Sequence, residues 1–226
     1  MMDELKNLQN IDPLKRMVEK QSEQEEFSPM DPPDAYSPPG VETVPYEEMP
    51  PFLQLLMDDH KACLKKLESF EEVLLRLQKN GLAADREVDE GLRQFFSFVD
   101  DGIVRHNLKE EKILFPLLQA RLLEKGEHGK GQFPRTDVDM LEDDHIKTMQ
   151  LAAVTFNFLG LAARLPDPAS RALTLDAALE QAKTLVELLR LHIFREDNVV
   201  FSLAVKHIAT EEFKKLESDL TKFDLQ

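Results

Sequence analysis

Six side chains, His60, His106, Glu110, His145, His192 and Glu196, form one pattern written twice, and the pattern suits a pair of metal ions. Each half reads Asp-Asp-His, followed 46 or 47 residues later by His-x-x-x-Glu. The first half runs from LLMDDHK to RHNLKEEKILF, the second from MLEDDHIK to LHIFREDNVVF. A shift of 86 residues lays His106 on His192, Glu110 on Glu196, Glu111 on Asp197 and Phe115 on Phe201. A shift of 85 lays Asp58, Asp59 and His60 on Asp143, Asp144 and His145. Only six histidines exist in the chain and four fall in the repeat, which chance accounts for poorly.

The spacing has a physical reading. Residues four apart share a helix face, so His106 with Glu110, and His192 with Glu196, project together. Adding His60 and His145 gives four imidazoles and two carboxylates. Imidazole suits iron, zinc, copper or nickel, and a carboxylate can bridge two ions while offsetting part of their charge. A single His-x-x-x-Glu is ordinarily a solvated pair worth a few tenths of a kcal/mol. A solvated pair has no reason to recur beside a second Asp-Asp-His. The lone cysteine, Cys63, excludes an internal disulfide and thiolate-rich zinc or iron–sulfur sites.

Long Leu/Lys/Glu/Ala/Arg runs and only eight glycines predict helices to carry these residues. Helical periodicity covers residues 52–79, with a stop at Gly81, and residues 86–114, where Pro116 is expected to interrupt. Beyond it, residues 117–123 form another turn or two. A third helix starts after the candidate cap Asp137 and runs to about 164. After the Pro166-Asp167-Pro168 turn, a fourth runs from near 170 to at least 198, and a charged helix from 211 closes the chain. Four long helices with short connections predict an all-α, antiparallel four-helix bundle. The midpoint of His60 and His106 falls in the first turn, and that of His145 and His192 in the Pro-Asp-Pro turn. Each pair is therefore level across its hairpin, and all four imidazoles gather at one height. Residues 1–50 are read as a short helix plus a linker, since eight of thirteen prolines lie between Phe27 and Pro51. Residues 51–226 are read as the bundle with its C-terminal helix.

The net charge of -15 argues against a nucleic-acid backbone or an anionic membrane as partner. Residues 151–163, the most apolar stretch, are too short to span a bilayer. The start lacks the layout of a secretory signal, so a cytoplasmic location follows by elimination.

The Asp-His motifs, HNLKEEKILFP and HIFRED together resemble the hemerythrin-like, HHE-type cation-binding family over residues 51–208. The resemblance implies a four-helix bundle with a non-haem di-iron centre, oxo- or hydroxo-bridged. It implies that His60 and His106 bind one iron, that His145 and His192 bind the other, and that Glu110 and Glu196 bridge them. Oxygen-carrying hemerythrins have a fifth histidine where this chain has Met149. They also have His-x-x-x-x-Asp on the last helix, which leaves Asp197 in reserve behind Glu196. The four-His, two-Glu set is more similar to the iron-centre repair proteins and to the iron-sensing hemerythrin domain of a ubiquitin ligase. The repair proteins carry a cysteine-containing N-terminal module, and residues 1–50 here contain no cysteine. The implied role is binding or sensing a diatomic ligand, oxygen or nitric oxide, in stress or iron homeostasis. Two alternatives stay open: a di-iron enzyme reducing peroxide or nitric oxide or aiding iron-centre repair, and an iron-dependent switch or iron-handling protein. Zinc or manganese remains the alternative metal.

Other residues are read conservatively. Cys63 is expected to be a buried core thiol, with a redox role beside His60 as the alternative. Asp59 and Asp144 are either carboxylates that orient imidazoles or solvated surface charges. His128 is expected in solvent, His207 structural or exposed, and Met149, Phe115 and Phe201 in the wall around the centre. Tyr36 and Tyr46 lie in the linker.

Overall fold

The computed structural model describes residues 42–129 and 134–224, and every regular element among them is helical. Helix α1 spans Pro51–Asn80 and ends at Gly81, whose φ of 64° is one that glycine adopts without a Cβ penalty. Helix α2 is one continuous rod built from Arg86–Phe98, Val99–Ile103, Val104–Lys109, Glu110–Leu114 and Phe115–Lys125, the second and fourth pieces being π-helical turns. Helix α3 spans Asp137–Ala162. Helix α4 runs through Pro168–Arg195, a π-helical turn at Glu196–Val200, and Phe201–His207. Helix α5, Thr210–Asp224, packs Phe213, Leu216 and Leu220 against one end of the core. The short helix expected near the N-terminus, and the linker up to residue 41, lie outside the described residues. No helix among those described is long and apolar enough to cross a membrane.

Two expectations need correction. Pro116 does not interrupt the second helix. It falls in the first turn after a π-helical turn, where the widened register already breaks the ladder, so the missing N–H costs no further bond. The cap of α3 is Thr136 rather than Asp137. Thr136 and Asp139 satisfy each other's backbone N–H groups in a capping box, and Asp137 is the first helical residue. At α4, the Asp167 side chain accepts from Ser170 N at 2.7 Å.

Apolar burial divides at one level. On α1 the core residues Phe52, Leu53 and Leu56 belong to one cluster, while Cys63, Leu67 and Phe70 belong to another. The same change of cluster occurs between Ile103 and Ile113 on α2, between Leu141 and Ala152 on α3, and between Ile193 and Val200 on α4. Each helix therefore carries a polar break at one height, and His60, His106, Glu110, His145, His192 and Glu196 occupy it. Residues 42–50 lie against the same end. The Val44 N–H donates to Ser202 Oγ at 3.1 Å, the Gln54 amide donates to Tyr46 O at 2.9 Å, and the Tyr46 hydroxyl donates to Asp58.

Candidate metal centre

At the polar break the six side chains meet. Glu110 and Glu196 are 0% exposed, and all four imidazoles are buried. His60 Nε2 lies 2.9 Å from His106 Nε2 and 3.0 Å from Glu196 Oε2. Glu110 faces two ways, Oε1 lying 3.4 Å from His106 Nε2 and Oε2 lying 3.4 Å from His145 Nε2. Glu196 Oε2 is 3.2 Å from His192 Nε2. Two four-residue groups result, His60/His106/Glu110/Glu196 and Glu110/His145/His192/Glu196, with ligand atoms within 4.8 Å of one another. Both glutamates belong to both groups.

The donor set fits a cation pair because of what these atoms lack. A carboxylate only accepts, so a ring nitrogen bonded to one must carry the proton. His60 Nδ1 donates to Asp197 Oδ1 at 2.7 Å, His106 Nδ1 to Asp59 Oδ2 at 3.3 Å, and His145 Nδ1 to Glu111 Oε1 at 2.8 Å. With the proton fixed on Nδ1, a ring that is neutral, as metal ligation requires, turns its Nε2 lone pair inward, and the Nε2 atoms of His60 and His106 face each other. The glutamate oxygens, though close to imidazole nitrogens, receive no contact with hydrogen-bond geometry, so all four are buried without a donor. Such groups cost on the order of 1–3 kcal/mol each or more when charged. Inward lone pairs and unpaired carboxylates need positive charge between them. Four nitrogens and shared oxygens are a donor set for first-row transition metals rather than calcium or magnesium.

Without metal, protons must supply that charge. Burial disfavours a charged His60, but Asp197 and Glu196 beside it push its pKa up to about 10. Burial likewise opposes charge on His192, and Glu196 and Asp144 raise it to about 10. Burial would raise the Glu196 pKa, yet the His192 and His60 rings hold it well below the ordinary carboxylate value. Glu110 is lowered too, with burial and the charge of Glu196 opposing and His106 favouring ionisation.

Both π-helical turns that follow the ligands begin at a glutamate, Glu110 on α2 and Glu196 on α4. The widened turn lets consecutive acids serve different helices. Glu110 points to the centre while Glu111 reaches His145 on α3, and Glu196 points to the centre while Asp197 reaches His60 on α1. Asp197, held in reserve as a ligand, thus orients an imidazole from outside. Asp59 does the same for His106 and also accepts from Lys109 Nζ at 2.8 Å. Asp144 is buried, takes Arg195 Nη1 at 3.0 Å, and lies 3.8 Å from His192 Nδ1. The outer set obeys the repeat, since Asp59–His106 matches Asp144–His192 and Glu111–His145 matches Asp197–His60. Sequence reasoning left open whether Glu111, aligned with Asp197, is a further ligand; its place here is beside the His145 ring rather than among the ligand groups. Asp197→Asn is expected to weaken metal binding about 10–100-fold, because the amide no longer enforces the inward lone pair of His60. A chelator competition titration reads this, and parent-like affinity would show that Asp197 does not orient the ring.

The remaining residues sort by position. Phe201 stacks on His60 with centroids 5.7 Å apart, and Phe115 on His145 at 5.8 Å. Cys63 is buried, and burial together with the charge of Glu196 pushes its thiol up to about 12, so it stays protonated. Met149 packs on the adjacent core. His128 is exposed, and His207 is half-buried with Nε2 3.8 Å from Glu127. Neither approaches the cluster's ligand groups. Tyr36 lies outside the described residues.

The hemerythrin HHE cation binding domain profile matches residues 52–204, a span that contains all six side chains. The iron-sulfur cluster repair protein YtfE of Musicola paradisiaca (strain Ech703) is 26% identical over 163 residues, covering 72% of this chain and 67% of that protein. No solved structure matches.

Proposed function

Because the chain belongs to the hemerythrin HHE cation-binding domain family, we propose that its buried cluster holds two iron ions and binds or senses oxygen or nitric oxide. The observation that carries this reading is the pair of ligand groups sharing Glu110 and Glu196. Each ion would have two imidazoles and a share in both carboxylates, which leaves positions for a small ligand. Iron would supply redox chemistry and open coordination positions that no side chain here offers. The chain's own residues do the rest. His60 and His106 would hold one ion, His145 and His192 the other, and the two glutamates would bridge. Asp197, Asp59 and Glu111 keep the rings of His60, His106 and His145 turned inward, Asp144 lies beside His192, and Phe115 and Phe201 wall the site from water.

A second reading, repair of iron centres under stress, is favoured by the similarity to an iron-sulfur cluster repair protein. In this chain that work would fall to the cluster itself, because the one cysteine is buried.

The deciding experiment is the optical spectrum of reduced, iron-loaded protein before and after oxygen or nitric oxide, with iron counted per chain. Two irons and new ligand-to-iron charge-transfer bands are expected. Bands reversed by removing the gas indicate a binder or sensor, and sustained gas consumption with an electron donor indicates an enzyme. A spectrum inert to both gases, or far fewer than two irons, would sink the proposal.

A further inference from the structure

One side of the cluster opens into a cavity of about 150 Å³ between α1, α2 and α4. Its inner end includes the rings of His60, His106 and His192. Its walls are mainly apolar, with Cys63, whose thiol is neutral, Phe98, Ile103, Leu189 and Ile193, while Asp101, Arg105 and Asn107 of α2 also line it. At the rim, Asp59 and Lys109 pair at 2.8 Å, so neither is left to hold an ion. Apolar protein cavities of about this size take up benzene. A diatomic ligand alone would leave most of it unfilled.

The cavity is a departure from the repeat rather than a product of it. The π-helical turns at Glu110–Leu114 and Glu196–Val200 correspond under the 86-residue shift, but the one at Val99–Ile103 has no partner. Residues 185–189, which the shift lays on it, are regular α-helix. Within this extra turn, Gly102 lets the Phe98 ring lie against the backbone, since a Cβ there would collide with the ring. The corresponding position in the second half is Leu188. One half alone therefore has the distorted helix, the glycine and the aromatic wall that shape the space.

We propose that this cavity is the binding site of an uncharged, mainly apolar organic molecule about the size of a benzene ring, held beside His60, His106 and His192. Binding there stands independently of the metal. Only the molecule's role as a partner in the chemistry of the centre rests on the reading above.

The test is calorimetric titration of the metal-loaded protein with benzene, with benzoate as the charged control and metal counted on the same samples. Saturable benzene binding is expected, at least tenfold tighter than benzoate. Cys63→Phe fills the cavity and should weaken benzene at least tenfold. Should that variant not fold, Phe98→Ala enlarges the cavity and should shift preference from benzene toward naphthalene at least tenfold. No saturable binding, benzoate as tight as benzene, or an affinity indifferent to the folded variants would overturn the proposal. Metal present without benzene binding rejects the cavity and leaves the metal centre; benzene binding without metal does the reverse.

Discussion

Replacing Glu110 and Glu196 together with glutamine is expected to abolish binding of both metal ions and to lower the melting temperature of the metal-free protein. The two effects have one cause. Both side chains are 0% exposed, and their four carboxylate oxygens lack hydrogen-bond donors. With metal, those oxygens are shared by both ligand groups, so each ion loses two charged ligands at once. The loss should exceed the roughly 100-fold that is the upper range for disturbing only an outer partner. Without metal, the same carboxylates are buried charges balanced by protons on His60 and His192, both held at about 10. Glutamine keeps the shape and removes the charge. Removing one partner of a buried ion pair while the other stays is strongly destabilising, by about 3–5 kcal/mol. Metal analysis and paired thermal melts of the metal-free proteins read the two arms. A variant that keeps two ions per chain would overturn the ligand assignment. A metal-free variant that melts higher would mean that burying the carboxylates costs the fold more than their pairing with His60 and His192 returns.

What the sequence disclosed, and what it hid, follows from the range of the physics involved. The helices, their level histidines and the six converging side chains were legible because periodicity and turn position are local signals, and the duplication repeats them. The outer carboxylates were half legible. Asp59 and Asp144 sit one residue before a histidine, where a solvated acid and an orienting one look alike. Only the packing of α1 on α2, and of α3 on α4, distinguishes them. Glu111 and Asp197 were harder, because each serves a ring on another helix through a π-helical turn that no residue pattern announced. Pro116 misled for the same reason, since a proline read against an ideal α-helix is a break. The cavity was invisible. It depends on Gly102 meeting Phe98 within a distorted turn, and both residues are unremarkable as letters.

Proton competition gives the remaining large effect, with opposite signs in the two states. His60 and His192 have folded, metal-free pKa values of about 10, above the ordinary 6.5. A group raised on folding stabilises the fold fully below its unfolded value and loses that contribution as pH rises through the folded one. The metal-free protein should therefore lose stability between pH 6.5 and 10. Metal binding runs the other way, because an imidazole must be neutral to ligate. Within the same window, loading displaces a proton from each ring, on the order of two per chain, so affinity should rise about 100-fold per pH unit and level off above 10. At lower pH, Glu110 and Glu196 remain ionised below the ordinary carboxylate value, so their contribution is lost only as pH falls through their depressed pKa values. The metal-free optimum should consequently lie on the acid side of neutrality, and that of the loaded protein on the alkaline side. Calorimetry in two buffers of different ionisation enthalpy counts the protons, and melts with and without metal from pH 5 to 10 trace the curves. Metal binding without proton release would mean that the metal-free rings are already neutral and that the buried glutamates are balanced by something other than His60 and His192.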